Sequence, residues 1–223
     1  MVQKVSLSSP DGPPKRRGRP REFNAEEALA RVMEVFWREG FAAASLDELS
    51  AATGLNRPSL YGAFGDKRAL YLQAYQRYRQ RLRDVFAPMF SQPGPLAGKL
   101  KRIFDSALEL YLSGEEPRGC FTVLTASSGA VADPEIRAIV GEAIANMDAA
   151  FERLYLQAQN AGEFPANAEP KRLARMTTAW LHTLSVRARA RMPRGELEAL
   201  VDDAVRTICG DAGSRGTTRT ERG

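Results

Sequence analysis

Between residues 45 and 67 the chain sets out Ser45, Asn56, Arg57, Ser59, Tyr61 and Lys67: two hydroxyls, an amide, a guanidinium, a phenol and an ammonium. Their shared chemistry is hydrogen bonding to polar and anionic edges. A guanidinium makes a bidentate match to guanine O6 and N7 or clamps a phosphate. Hydroxyls and an ammonium at helix starts or ends hold phosphates and fix register. Upstream, Arg17-Gly18-Arg19-Pro20 places two cations around a residue without a side chain. That form suits an extended arm in a narrow A·T minor groove, whose negative potential draws arginine.

Enzymatic chemistry finds less material. The single histidine, His182, makes a histidine-based zinc site or a Ser-His-Asp triad hard to build, and it reads as a packing or interface residue. There is no glycine-rich phosphate loop, and the carboxylates are spread along helix faces, so no enzyme, metal or cofactor is expected. Cys120 and Cys209 are too few for a disulfide framework, which points to a reducing cytoplasm. Cys120 follows Arg118-Gly119 near a helix start, where a dipole and a guanidinium can lower a thiol pKa. It reads either as a buried small hydrophobe or as a sensor thiol, with Cys209 a distant resolving partner.

Charge locates the partner. Six basic residues in 1–21 (Lys4, Lys15, Arg16, Arg17, Arg19 and Arg21) face only Asp11, which equals the whole net charge of +5, so the remainder balances. A neutral body with a cationic arm predicts a polyanion partner. The chain of 223 residues is 43% hydrophobic and 26% charged, globular averages that exclude a fibrous or disordered chain. No apolar run approaches the length of a membrane span, and the first thirty residues hold no apolar core of a secretory signal.

The elements that must position these residues are helical. Residues 1–21 and 211–223 lack apolar periodicity and read as flexible ends. Between them about nine helices are predicted and no strand, an all-α fold. A first helix runs from an Asn24 cap to Gly40. Ser45-Leu46-Asp47-Glu48 is a capping box opening a short second helix that Thr53-Gly54 ends. Asn56 caps a third with Pro58 in its first turn, and Asp66 caps a long fourth reaching about Phe86. Pro93-Gly94-Pro95 is a linker. Further helices follow around Leu100–Tyr111, Cys120–Ala130, Pro134–Gly162, Leu173–Ala188 and Leu197–Ile208. Leu46 to Phe64 is thus a helix-turn-helix, with Leu49, Leu55 and Leu60 inward and Arg57 and Ser59 facing a major groove.

The segment Asn24–Tyr71 resembles the DNA-binding domain of the TetR/AcrR family of bacterial regulators. The likeness is carried by Leu46-Asp47-Glu48-Leu49-Ser50, Thr53-Gly54-Leu55, Leu60-Tyr61-Gly62-Ala63-Phe64-Gly65-Asp66-Lys67 and Leu70-Tyr71. It implies an all-helical homodimer on a near-palindromic double-stranded operator. Tyr61 and Lys67 would hold phosphates, and the Arg57–Ser59 end would read bases. Gly62-Ala63 departs from the bulkier residues common in the family, so fewer side chains reach DNA there, and Gly62 costs the helix roughly 1 kcal/mol relative to alanine.

The resemblance divides the chain into an arm (1–21), a reading domain (22–68), an effector-binding and dimerisation domain (69–210) and a tail (211–223). The two C-terminal amphipathic helices suit a four-helix dimer interface. Pocket candidates are Phe104, Leu108, Tyr111, Cys120, Leu124, Met147, Phe151, Tyr155, Thr177 and Trp180, each equally at home in a core. The expected function is a ligand-responsive regulator, a repressor released by a small-molecule effector. The alternatives are an architectural DNA binder of low specificity and a thiol-based redox or electrophile sensor acting through Cys120.

Overall fold

The computed structural model describes residues 24–163 and 167–210, and among them are nine α-helices, a 3₁₀ turn and no strand. The expectations for Arg17, Arg19 and the rest of the arm, and for the tail, lie outside the described residues.

The N-terminal helices form because each begins at a side chain that satisfies free amides. Asn24 accepts from Glu26 and Glu27 ahead of α1 (Ala25–Ala43), whose helical dihedrals break at Gly40. Ser45 opens α2 (Leu46–Thr53), Asn56 opens α3 (Arg57–Phe64), and Asp66 opens α4 (Lys67–Ser91). Such caps stabilise a helix by about 1 kcal/mol each. Trp37, Phe36, Leu49, Leu60, Leu70 and Tyr71 are fully buried and close the unit. In it α1 packs on α2 and α4, and α3 on α2 and α4.

Beyond it come α5 (Leu96–Leu112), α6 (Phe121–Ala126), the 3₁₀ turn (Gly129–Ala132), α7 (Pro134–Asn160), α8 (Pro170–Arg189) and α9 (Arg194–Cys209). The main layer is α7 on α8, with α5 crossing α8 and α9. Buried aromatics from both halves interlock: Phe121 meets Tyr71, Tyr75 and Tyr78 of α4 edge-on at 5.5–5.6 Å.

Two boundaries differ from the sequence reading. The fourth helix does not stop near Phe86 but runs through Pro88 to Ser91. Its last turn carries Phe90, which packs on Phe151 of α7 with centroids 5.3 Å apart. That contact offsets the hydrogen bond proline removes. The expected helix over Cys120–Ala130 is divided because serines capture the backbone at its middle. Ser127 donates to the Val123 carbonyl at 2.8 Å, while Ser128 accepts from the Ala130 amide at 3.3 Å. Short polar side chains compete in this way with helix continuation.

Candidate nucleic-acid interface

Two eight-residue helices present the candidate interface, and the turn between them fixes their angle. Gly54 adopts φ 71°, ψ 12° at the end of α2, a left-handed conformation that a side chain resists. Its amide donates to the Ser50 carbonyl at 2.9 Å. Thr53 braces the same turn, its hydroxyl donating to the Leu49 carbonyl at 2.8 Å and accepting from the Leu55 amide at 3.3 Å. Leu49 and Leu60 are wholly buried and Leu55 half-buried, all on the inner side.

The outer side of α3 exposes Arg57, Ser59 and Tyr61 together with Gly62 and Ala63. Asn56 spends its side-chain oxygen on the Ser59 amide at 2.9 Å, so its role is first that of a cap. Arg57 donates through Nη2 and Nε to Asp47 Oδ1 at 2.6 and 3.1 Å. Both partners are more than half exposed, so the pair contributes only about 0–1 kcal/mol. It orients the guanidinium outward and yields it readily to a stronger acceptor.

Ser45 is more constrained. Its Oγ accepts from the Glu48 amide at 3.1 Å and donates to Glu48 Oε2 at 2.8 Å. The same carboxylate accepts from the Ser45 amide, and these hydrogen bonds hold Glu48 below the usual carboxylate range. A phosphate contact by Ser45 therefore requires its hydroxyl to turn from Glu48. Lys67, at the first position of α4, sits 5.0 Å over the Phe41 ring and donates to the Ala42 carbonyl at 3.5 Å. It ties α4 to the end of α1 while keeping two ammonium hydrogens for another acceptor.

At its far end α4 walls a cavity of about 530 Å³, shared with α5, α7, Cys120 and Leu181. Tyr111, Cys120, Met147 and Phe151 line it, as the sequence reading has them. Phe104 and Leu108 are buried elsewhere in the core, and Leu124 and Trp180 are half-buried away from the wall. Tyr155 and Thr177 bond to each other through their hydroxyls at 2.5 Å, joining α7 to α8. Burial raises the Tyr155 phenol well above its usual range.

Among the wall residues absent from the sequence reading are Tyr78, Leu82, Phe86 and Phe90 of α4, Ile103 and Leu110 of α5, Leu154 of α7 and Leu181 of α8. Tyr78, Leu82 and Phe86 are spaced by four, and Phe90 continues the row beyond the expected end of the helix. Nothing local says that α5 and α7 diverge beneath it.

Cys120 is buried. Its amide donates to Ser185 Oγ at 2.7 Å, and the Tyr78 hydroxyl donates to its sulfur at 3.4 Å. Cys209 is half-buried, which pushes its thiol up to about 11. His182, half-buried on α8, has its imidazole pKa lowered by burial, with the charge of Asp148 opposing.

Among the described residues no helix is long and apolar enough to cross a membrane. Residues 29–74 match the family model described as bacterial regulatory proteins, tetR family, and residues 97–205 match the tetracyclin repressor-like C-terminal domain. The HTH-type transcriptional repressor ComR of Escherichia coli K12 is 28% identical over 78% of this chain and 84% of its own. The repressor BdcR of the same organism is 28% identical over 86% and 93%. A cysteine-substituted form of the regulator CifR, solved with 26-bp double-strand operator DNA, superposes with a TM-score of 0.77. It shares 30% identity over 85% of this chain and 98% of its own. With a match in each half of the molecule and 30% identity across most of its length, the chain belongs to the TetR family of DNA-binding transcriptional regulators.

Proposed function

We propose that this chain is a transcriptional repressor that binds a near-palindromic operator as a homodimer and leaves it when a small molecule enters the cavity. The observation that carries the reading is the course of α4. One end packs against α3 and is tied by Lys67 to the end of α1, and the other walls a largely apolar cavity. A molecule that prefers the cavity in one setting of α4 shifts the spacing of two α3 helices by its difference in affinity for the two settings.

In this reading residues 22–68 recognise DNA, 69–210 sense and dimerise, and 1–21 reach into the minor groove through Arg17 and Arg19. Arg57 and Ser59 face bases. Tyr61, Lys67 and, once released, Ser45 hold phosphates, while Asn56 sets the start of α3. Operator binding by CifR supports the DNA half, and the names of ComR and BdcR support repression.

The test is selection of bound duplexes from a random pool, with Arg57→Ala alongside. The expected result is a two-fold-symmetric motif that the substitution blurs at one position per half-site, at about 1–3 kcal/mol per contact. Bound sequences with nothing in common beyond A·T richness would replace this reading with an architectural one.

A thiol-based response is the second reading, favoured by the position of Cys120 on the cavity wall. It requires that N-ethylmaleimide release the native protein from the selected duplex and leave Cys120→Ser bound.

A further inference from the structure

The cavity is apolar over most of its wall, and its charge is of one sign. Among the described residues that line it are three guanidiniums, Arg79, Arg83 and Arg153, and no carboxylate. Arg79 is already neutralised, its two terminal nitrogens donating to the two oxygens of Glu142 at 3.2 and 3.1 Å. Arg83 is not. Its Nε and Nη2 donate to the amide oxygen of Gln80 at 3.2 and 2.6 Å, a neutral partner that directs the guanidinium without cancelling its charge. Gln80 donates to Asp84 Oδ1 at 2.7 Å; Asp84 borders the groove between α1 and α4, which Arg83 borders as well as the cavity. Arg153, exposed on α7, has no hydrogen-bond or ion-pair partner among the described residues.

Resting on the reading that this cavity is the effector site, we propose that its ligand is an amphipathic organic anion. An aromatic or branched hydrocarbon body occupies the wall between Leu82, Phe86, Met147 and Phe151. A carboxylate or sulfonate lies at the mouth between Arg83 and Arg153. The fork of a guanidinium fits two anionic oxygens at once, which gives orientation as well as attraction. The same rim repels cations, so an amine of equal shape is excluded by charge and not by size. The volume lies within the range of drug-sized ligands.

The probe pair is 1-anilinonaphthalene-8-sulfonate and N-phenyl-1-naphthylamine, the same skeleton with and without its anion, titrated by fluorescence into the full chain. The sulfonate is expected to bind at least about tenfold tighter. Arg83→Gln with Arg153→Gln should abolish that preference and leave the neutral probe unchanged, and both positions are exposed, so the fold tolerates them. Filling the cavity with Ala150→Trp, or with Ala87→Trp at its mouth should the first not fold, must remove the sulfonate. Equal binding of the two probes, failure of either to bind, a preference that survives the double substitution, or sulfonate binding to a filled cavity each overturns the proposal.

Release of the selected duplex, followed by anisotropy, separates the two readings. An anion preference at the arginines without release at saturation leaves the ligand class standing and removes the effector role. Release through the cavity by neutral or cationic molecules alone does the reverse.

Discussion

Gly119 is held on two sides by residues far away in sequence. Its carbonyl accepts from Trp37 Nε1 at 3.0 Å, which fastens α1 to the segment entering α6. Its φ is +66°, and a Cβ there would lie 2.8 Å from the Ser185 carbonyl and 3.0 Å from Ser185 Oγ on α8. The left-handed conformation costs an ordinary residue about 1–2 kcal/mol, and forced overpacking adds about 1–3 kcal/mol. Gly119→Ala should therefore lower the urea midpoint by the equivalent of about 2–5 kcal/mol with an unchanged m-value. A loss below about 0.5 kcal/mol, the level of a neutral surface change, would mean that α8 does not approach so closely.

Residue-scale features were legible only where their partners are local. The caps Asn24, Ser45, Asn56 and Asp66 accept from amides two or three residues on, and each was readable as a helix start. Gly119, Trp37 and Ser185 meet only in the fold.

At the scale of elements, α4 and α7 are joined by two ion-paired contacts along their length. Arg79 with Glu142 is one. The other lies at the first turn of α4, where Arg68 reaches Asp133 at 2.5 and 3.0 Å and Glu135 at 2.7 Å. Asp133 also caps α7 through the amides of Glu135 and Ile136. The reading end of α4 is thus fixed to the start of the helix that lines the cavity further along. In the proposed effector response, a ligand that separates α4 from α7 would pivot one against the other about this contact.

The Arg68 guanidinium holds the Asp133 carboxyl down to about 2, against an ordinary 3.8. A carboxyl whose folded pKa is depressed contributes stability that is fully present above its unfolded value and lost as pH falls towards the folded one. Asp133→Asn keeps the cap oxygen and removes the charge. The native protein should melt higher than the variant at pH 6, with the gap narrowing below about pH 4, small by pH 2 and closing below it. A gap constant from pH 6 to 2 would show that the charge on Asp133 is not what joins the helices.

Helix types and order were readable from apolar spacing, since caps and periodicity are properties of the segment itself. The run of α4 through Pro88 was not, because a proline is a stop signal locally and only the packing of Phe90 on Phe151 overrides it.

At the scale of the whole molecule, the proposed two-fold assembly needs an apolar face that the single chain leaves uncovered. The outward side of α8 leaves Met176 and Val186 exposed, with Val186 showing 55% of its surface. In the proposed homodimer a second copy laid against α8 would cover them and set two α3 helices to face one side of a duplex, about 34–36 Å apart. Val186→Glu should then yield a monomer in sedimentation and weaken operator binding by at least about tenfold, because one half-site is lost. A dimer that persists with its affinity would place the interface elsewhere.

The proposed dimer also doubles the arm. The cationic excess of the chain is confined to residues 1–21, so a dimer brings Arg17 and Arg19 to the DNA twice over a neutral body. Each phosphate neutralised contributes about −0.9 to the slope of log K against log salt on B-form DNA. Replacing both arginines by alanine in the full chain removes four cations per dimer, so the slope should become shallower by about 3–4. The sequence motif should keep its outer positions and lose only its preference for A·T beside the half-sites. Arg57→Ala should behave in the opposite sense, blurring the motif with a slope altered by no more than about 2, one contact in each half-site. An arm variant with an unchanged slope would mean that the charge imbalance, the feature most legible in the sequence, has no part in binding. Affinity would then rest on α3 and the first turn of α4.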